Sequence, residues 1–151
     1  MGSNSLSIFV LADTHNHLPE NLDKLAEGAD EIWHLGDVCA SALVVRLESL
    51  GPPLTLVRGN CDSNFEWPLA VDLQRGGLRF RLVHIPPSNP PGKVDVVLHA
   101  HTHVPRNERV NGVLFLNPGC VTRPNRGAPP SVARLEITEN GRLDWKLILI
   151  R

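Results

Sequence analysis

The chain is 151 residues long and sets 15 Lys and Arg against 16 Asp and Glu, a net charge of −1 with its seven histidines neutral. That balance excludes the strongly basic footprint of a nucleic-acid binder, and no apolar run reaches the roughly 18 residues of a membrane-spanning helix. Cys39, Cys61 and Cys120 are odd in number and widely spaced, with no Cys-x-x-Cys pair. This argues against a disulfide framework or a structural zinc knuckle and for a reducing, cytoplasmic setting.

The length suits one domain over 1–151 with a core of its own. Met1 to Leu6 lacks the charged and apolar regions of a secretion signal, and Leu6 fails the Ser/Thr position of a myristoylation signal. Ser7 to Ala12 then reads as a buried strand that stops at Asp13-Thr14-His15. Pro19 suits the first turn of a helix whose stripe is Leu22, Leu25, Ala26 and Ala29, with Gly28 near its end. Ile32 to Leu35 is a second strand, stopping at Gly36-Asp37. Ser41 can cap a helix running to Leu50, before Gly51-Pro52-Pro53. Leu54 to Val57 is a third strand, stopping at Gly59-Asn60-Cys61-Asp62.

Strands alternating with helices predict a parallel sheet, and ligands of such sheets bind at the carboxyl ends of the strands. Each of these three strands ends in a polar group able to hold a metal. The second half changes style. Gly76-Gly77, Asn111-Gly112 and Asn140-Gly141 are two-residue hairpin signals that add antiparallel strands. Arg79 and Arg81 alternate with Phe80 and Leu82, so one face of that strand must be wet or paired. Ile85 to Gly92 holds four prolines and cannot be a helix. Two mixed sheets packed face to face, with helices outside, accommodate both halves.

The densest chemistry lies at Leu98 to Pro105, where His99, His101 and His103 alternate after the apolar run Val94 to Leu98. Neutral imidazole is the commonest protein metal ligand. With Asp13, His15, Asp37, Asn60 and His84, two of these histidines complete a set of carboxylate, imidazole and amide donors at strand ends. Such a set without thiolate suits Mn, Fe, Zn, Co or Ni. Seven ligands exceed one ion but suffice for two if a carboxylate bridges, and paired ions suit phosphate-ester hydrolysis. The blander reading makes Asp13, His15 and Asp37 helix caps and Asn60 a turn residue.

The ordered series Asp13-Thr14-His15, Gly36-Asp37, Gly59-Asn60-Cys61-Asp62, His84 and His101-Thr102-His103-Val104-Pro105 resembles the calcineurin-like metallophosphoesterase superfamily. Its small prokaryotic phosphodiesterase group, related to the retromer scaffold subunit, is the nearest likeness. Asn117-Pro118-Gly119 and Arg123 resemble the motif that follows. The resemblance implies an α/β fold of two mixed sheets flanked by helices in four layers. It implies a first ion on Asp13, His15, Asp37 and His103, and a second on Asp37, Asn60, His84 and His101. Asp37 would bridge, a hydroxide between the ions would attack the phosphate ester, and Asp37, Asn60 and His101 would be catalytic. Asn60 and Arg123 would contact the substrate, Arg123 as a phosphate or loop anchor. Mn is the first expectation for both ions, with Ni, Fe, Zn, Co or Mg open.

The chain departs from that pattern in four places. Cys61 stands where members with a catalytic acid often have His, Ile85 and Ala100 replace glycines, and the 85–92 loop replaces a helix. Ala100 is therefore expected to oppose a positive φ, and the sheet flank near 85–92 to be bare enough for a homo-oligomer contact. His99 is expected to support the site rather than ligate, His17 and His34 to be structural, and Cys61 to pack nearby. The rival function is a scaffold of the same fold with little or no catalysis.

Overall fold

Alternating apolar residues build the ten strands and two helices of the computed structural model, which describes residues 5–150. The tail before Ser5 and Arg151, and with them the outer limits of the 1–151 domain, lie outside the described residues. The elements are β1 (Ser5–Leu11), α1 (Leu22–Leu25), β2 (Glu31–His34), α2 (Ser41–Glu48), β3 (Leu54–Leu56), β4 (Ala70–Arg75) and β5 (Leu78–Val83). They continue with β6 (Val96–Leu98), β7 (Arg106–Val110), β8 (Val113–Asn117), β9 (Ser131–Thr138) and β10 (Leu143–Leu149).

Two mixed five-stranded sheets result. The first has the order β10-β9-β1-β2-β3, with β1, β2 and β3 parallel and β9 and β10 antiparallel. The second has the order β4-β5-β6-β8-β7, with β5, β6 and β8 parallel between antiparallel edges. Between the sheets lie Ile8, Val10, Trp33, Phe80, Leu82, Leu98, Leu116 and Leu135, all buried. On β1 the alternate residues Phe9 and Leu11 face outward and meet Leu22 and Leu47 from the two helices. Burial on both faces explains why that strand reads as an unbroken apolar run.

The helices are shorter than their sequence patterns. The first closes a single turn, because the chain leaves it at Ala26 and swings through Gly28 at φ 78 to hydrogen-bond Asp30 to Ser7. The second begins at Ser41, so the extended residue Ala40 is its cap and no side chain bonds the first turn. Ser41 is a helical residue, not the cap that its type suggests. Neither helix is capped by Asp13, His15 or Asp37, which removes the capping alternative for those residues.

The Gly76-Gly77 and Asn111-Gly112 hairpins form with two-residue loops. The third hairpin forms with a three-residue loop over 139–141, because Thr138 pairs with Arg142 and the left-handed position falls on Gly141 alone, at φ 82. The outward face of β5 is paired, with Arg81 Nε at 2.7 Å from Asp72 and Arg79 Nε at 3.3 Å from Asp95. Both helices pack on the first sheet. Over the second sheet no helix forms among the described residues, and Val97, Val113 and Phe115 are covered by Val83, Val94 and Val110. The Arg106 guanidinium caps this patch, 4.4 Å above the Phe115 ring.

The sheets are also tied by a fork of charge. Arg75 on β4 donates from Nε at 2.8 Å and from its amino group at 3.0 Å to Glu31 on β2, and Trp33 adds a third donor. Burial disfavours the Glu31 anion, yet these donors hold its carboxyl below the usual range. Because the folded value lies below the unfolded one, the stabilisation is present above about pH 4.5 and disappears as pH falls through the folded value. Glu31→Gln is expected to cost about 1–2 kcal/mol at pH 7, between an exposed and a buried pair. Urea midpoints of the two proteins should converge as the pH falls from neutral through the folded value of Glu31. A pH-independent gap would assign the loss to packing.

Candidate metal centre

The carboxyl ends of β1, β2, β3, β5 and β6 open onto one edge of the sandwich, and the seven expected ligands follow them. The first two loops are zipped together by backbone bonds: Asp13 N–H donates to Gly36, His15 N–H to Asp37 and Asn16 N–H to Val38. This puts Asp13, His15 and Asp37 side by side, where His103 joins them from the turn after β6. Ligand atoms of these four lie within 4.8 Å of one another. His15 Nε2 is 3.3 Å from Asp37 Oδ2, and His103 Nε2 is 3.5 Å from Asp13 Oδ1.

The other three candidates extend the cluster towards solvent. His84 is buried, with Nε2 3.3 Å from Asp37 Oδ2, and its ring is 5.3 Å from that of His101. His101 Nδ1 and Asn60 Oδ1, both on exposed residues, meet at 3.2 Å. Asp37 thus touches both halves, and the donors grade from a buried floor at Asp13 and His84 to an open mouth at Asn60 and His101.

Five of these seven residues have left-handed backbone: Asp13 (φ 54), His15 (φ 43), Asp37 (φ 61), His101 (φ 75) and His103 (φ 63). Such conformations cost about 1–3 kcal/mol each and persist only where the surroundings enforce them. Ala100, expected to resist a positive φ, does not adopt one; the unusual backbone falls on His101 instead. Ala100 is clamped by its N–H donating to His84 O at 2.9 Å and its carbonyl accepting from Asn117.

Three of the four imidazoles are oriented from behind. His84 Nδ1 donates to Leu35 O at 2.8 Å, and His103 Nδ1 donates to Arg123 O at 2.7 Å. His15 Nδ1 lies 3.0 Å from Asp13 O and 3.1 Å from Thr122 Oγ1. These bonds leave Nε2 of all three rings facing the carboxylates, the outer-sphere arrangement that metal-binding histidines need. Arg123 contributes through its backbone; its exposed guanidinium lies in electrostatic range of Cys39 and Cys61.

Three buried polar atoms in the cluster have no hydrogen-bond partner among the described residues: both Asp13 carboxylate oxygens and His84 Nε2. Unpaired buried lone pairs of this kind are costly, and a cation removes the cost. Burial raises the Asp13 carboxyl to about 7. Burial also works against the Asp37 anion, but the Cys61 N–H and the imidazoles of His84 and His15 hold Asp37 well below the ordinary carboxylate range. One carboxylate is therefore a standing anion and the other awaits a positive charge. The donor set and its orphaned atoms fit divalent ions of the Mn, Fe, Zn, Co or Ni type.

Several contributors escaped sequence reasoning. Asp62, read only as part of a turn motif, is buried. Its Oδ2 accepts from Asp37 N–H (2.9 Å) and Gly59 N–H (2.7 Å), while Oδ1 accepts from Cys39 N–H (2.8 Å). Gly59 must be glycine, since a Cβ there would overlap the Asp37 carboxylate. His34 accepts from Gly36 N–H at Nδ1, so Nε2 carries the proton facing Thr14 Oγ1 at 3.1 Å. Burial lowers the His34 value to about 3 and keeps it neutral. His99, one step from the ligands, is buried with Nδ1 donating to Ala100 O and Nε2 accepting from Arg106. His17 is exposed, and Cys61 sits at the rim. Cys120, buried beneath the floor, has its sulfur near His15 and His103 and bonded to Asp13 O at 3.3 Å. His34, His99, His17 and Cys61 were already singled out in the sequence, Asp62 and Gly59 were read only within their turn motif, and Cys120 carried no local signal.

Fold and donor cluster are of the kind metallophosphoesterases carry, and the chain belongs to the calcineurin-like phosphoesterase superfamily, whose domain matches residues 6–140. Among its relatives, the phosphodiesterase YfcE of Escherichia coli is 30% identical over 142 residues, covering 85% of this chain and 71% of YfcE. A probable metallophosphoesterase of Methanothermobacter thermautotrophicus is 29% identical over 159 residues, covering 93% of this chain and 91% of that protein. In three dimensions the solved structure of YfcE aligns with a TM-score of 0.76 at 25% identity, over 97% of this chain and 100% of that one. Vacuolar Protein Sorting 29 from Cryptosporidium parvum shares the fold at a TM-score of 0.74 and 22% identity, over 96% of this chain and 98% of that one. No helix of the described residues is long and apolar enough to cross a membrane.

Proposed function

We propose that this chain is a dinuclear metal-dependent phosphoesterase acting on phosphodiesters. The observation that carries the reading is the trio of buried atoms without a hydrogen-bond partner, two on Asp13 and one on His84, among oriented imidazoles. Asp13, His15, Asp37 and His103 would hold one ion, and Asp37, Asn60, His84 and His101 the other, with Mn as the first expectation. Such a pair supplies Lewis acidity towards the phosphoryl oxygens and a hydroxide nucleophile at neutral pH.

The chain's own residues do the positioning. Asp37 stays ionised under the pull of the Cys61 N–H and two imidazoles, and so keeps an anion at the centre of the cluster. Asn60 and His101, exposed and mutually bonded, stand at the mouth where a phosphate ester enters. Arg123, whose backbone braces His103, would offer its exposed guanidinium to the substrate's negative charge. Placement in the cytoplasm accords with three free thiols. A second reading, a scaffold with little catalysis, draws on the fold likeness to Vacuolar Protein Sorting 29. The complete donor set favours the enzyme.

Two measurements test this. Added Mn²⁺ is expected to raise the thermal midpoint, since a ligand of the folded state alone stabilises it by about 2.7 kcal/mol at a hundredfold excess over Kd. EDTA should reverse the rise. The metal-loaded protein should carry two ions and hydrolyse a chromogenic bis-aryl phosphodiester. Two bound ions without turnover would leave the scaffold reading standing.

A further inference from the structure

The ligand cluster is continued on its β3–β5 side by a groove of about 450 Å³ lined in part by Arg58, Asn60, Phe65, Leu69, His84 and Ile85. We propose that this groove receives an aromatic group carried by one ester oxygen of the substrate. The proposal rests on the phosphodiesterase reading above, because Asn60 and His84 belong to both the groove and the cluster.

The groove's outer wall is apolar where the chain has every reason not to be. Phe65 is 79%, Leu69 62% and Ile85 56% exposed, three of the six large hydrophobics that stand in solvent among the described residues. Scattered singly such residues mean little, but gathered at one rim they mark a binding surface. Ile85 stands where the sequence pattern expects glycine, so this chain adds apolar surface beside the cluster.

The wall is also preformed. Arg58 N–H donates to Pro68 O at 2.7 Å and its guanidinium to Phe65 O at 3.2 Å, while Asn64 Oδ1 accepts from Glu66 N–H at 3.0 Å. The Arg58 guanidinium lies 4.8 Å from the centre of the Phe65 ring, backing it with positive charge. A ring so fixed and otherwise open offers a stacking face, and a rigid wall spares the ordering cost of binding. The volume falls in the range of small-ligand pockets. A molecule with a phosphate at one end and a flat aromatic group at the other matches the groove's two ends, and an aryl group and a nucleobase share that chemistry.

The experiment holds the leaving group constant. Esters of 4-nitrophenyl phosphate with methyl, cyclohexyl, phenyl or 5′-thymidine as second substituent are compared by kcat/KM. The phenyl ester should exceed the methyl by roughly tenfold or more, the scale of one stacked ring. In Phe65→Ala and in Ile85→Ser that ratio should fall towards one, whereas Val45→Ser, on the remote exposed surface of α2, should leave it alone. A raised phenyl ester alone assigns an aryl group, and raised phenyl and thymidine esters together assign any flat aromatic. A cyclohexyl ester equal to phenyl, or a ratio unmoved by Phe65→Ala, overturns the proposal. If no ester is hydrolysed, it is the phosphodiesterase reading that fails. Calorimetry with phenylphosphonate and methylphosphonate on the Mn²⁺-loaded protein then decides the groove. Tighter phenyl binding that Phe65→Ala removes supports it, and equal binding overturns it.

Discussion

Asp37→Asn is expected to lower kcat/KM for an aryl phosphodiester by about a thousandfold, the upper range for removing one group that stabilises developing charge. The substitution is isosteric and keeps an oxygen to accept from Cys61 N–H, the 2.8 Å bond that fixes the side chain. What changes is the second atom. An anionic oxygen 3.3 Å from both His15 Nε2 and His84 Nε2 becomes an amide NH₂ that cannot ligate. Facing two imidazoles whose Nδ1 atoms are engaged behind them, that NH₂ can donate to their Nε2 lone pairs, so the fold should survive and the metal-free midpoint should hold. The loss should therefore appear in metal stoichiometry and turnover together. Mass spectrometry of the intact holoprotein reads the first and the chromogenic assay the second. Full activity in Asp37→Asn would remove the bridging assignment.

The second large effect lies at a residue that touches no proposed ligand atom. Asp62 is 6% exposed and accepts three backbone N–H groups, those of Asp37, Gly59 and Cys39. Alanine strands all three, at about 1–3 kcal/mol each, for a total of roughly 3–9 kcal/mol. The amide introduced by Asp62→Asn keeps one oxygen, which can serve the two donors shared by Oδ2, and turns an NH₂ towards Cys39. Its cost should be nearer about 2 kcal/mol. Because Asp62 holds Asp37 in its left-handed backbone, at φ 61, Mn²⁺ affinity should fall in the same order. Urea unfolding and Mn²⁺ titration of the two variants check this. Equal metal affinity in wild type and Asp62→Asn would mean that the Asp37 loop holds itself.

Much of the architecture is local and so is legible in residues. Gly76-Gly77 and Asn111-Gly112 supply the two left-handed residues of a two-residue turn, Gly141 the single one of a three-residue turn, and each turns two strands in register. The unbroken apolar run of β1 announces burial on both faces, and the arginine alternation on β5 announces an outer face that is wet or paired, which Asp72 and Asp95 make paired. The prolines after His84 forbid a helix there, and the structure has none. The pattern around Leu22 overstates its helix because amphipathic spacing measures which residues are buried, and a single turn buries Leu22 and Ala26 as well as a long helix does.

The site divides along the same line. The candidate donors were readable because carboxylates and histidines recur at successive strand ends, and their order along the chain is itself a signal. Which atoms face inward was not. The rings are aimed by carbonyls and hydroxyls far away in sequence, such as Thr122 behind His15 across 107 residues and Leu35 behind His84 across 49. The backbone at Ala100 was likewise settled by Asn117 and His84, which clamp it and pass the unusual conformation to His101. Sequence alone determined the strands, the hairpins and the donor types, because steric and burial preferences act over a few residues. Only the tertiary structure decided the ring orientations, the three-way bond of Asp62 and the apolar groove beside the cluster. Hydrogen bonds and exposed surface between segments distant in the chain exist only once the sheets have packed.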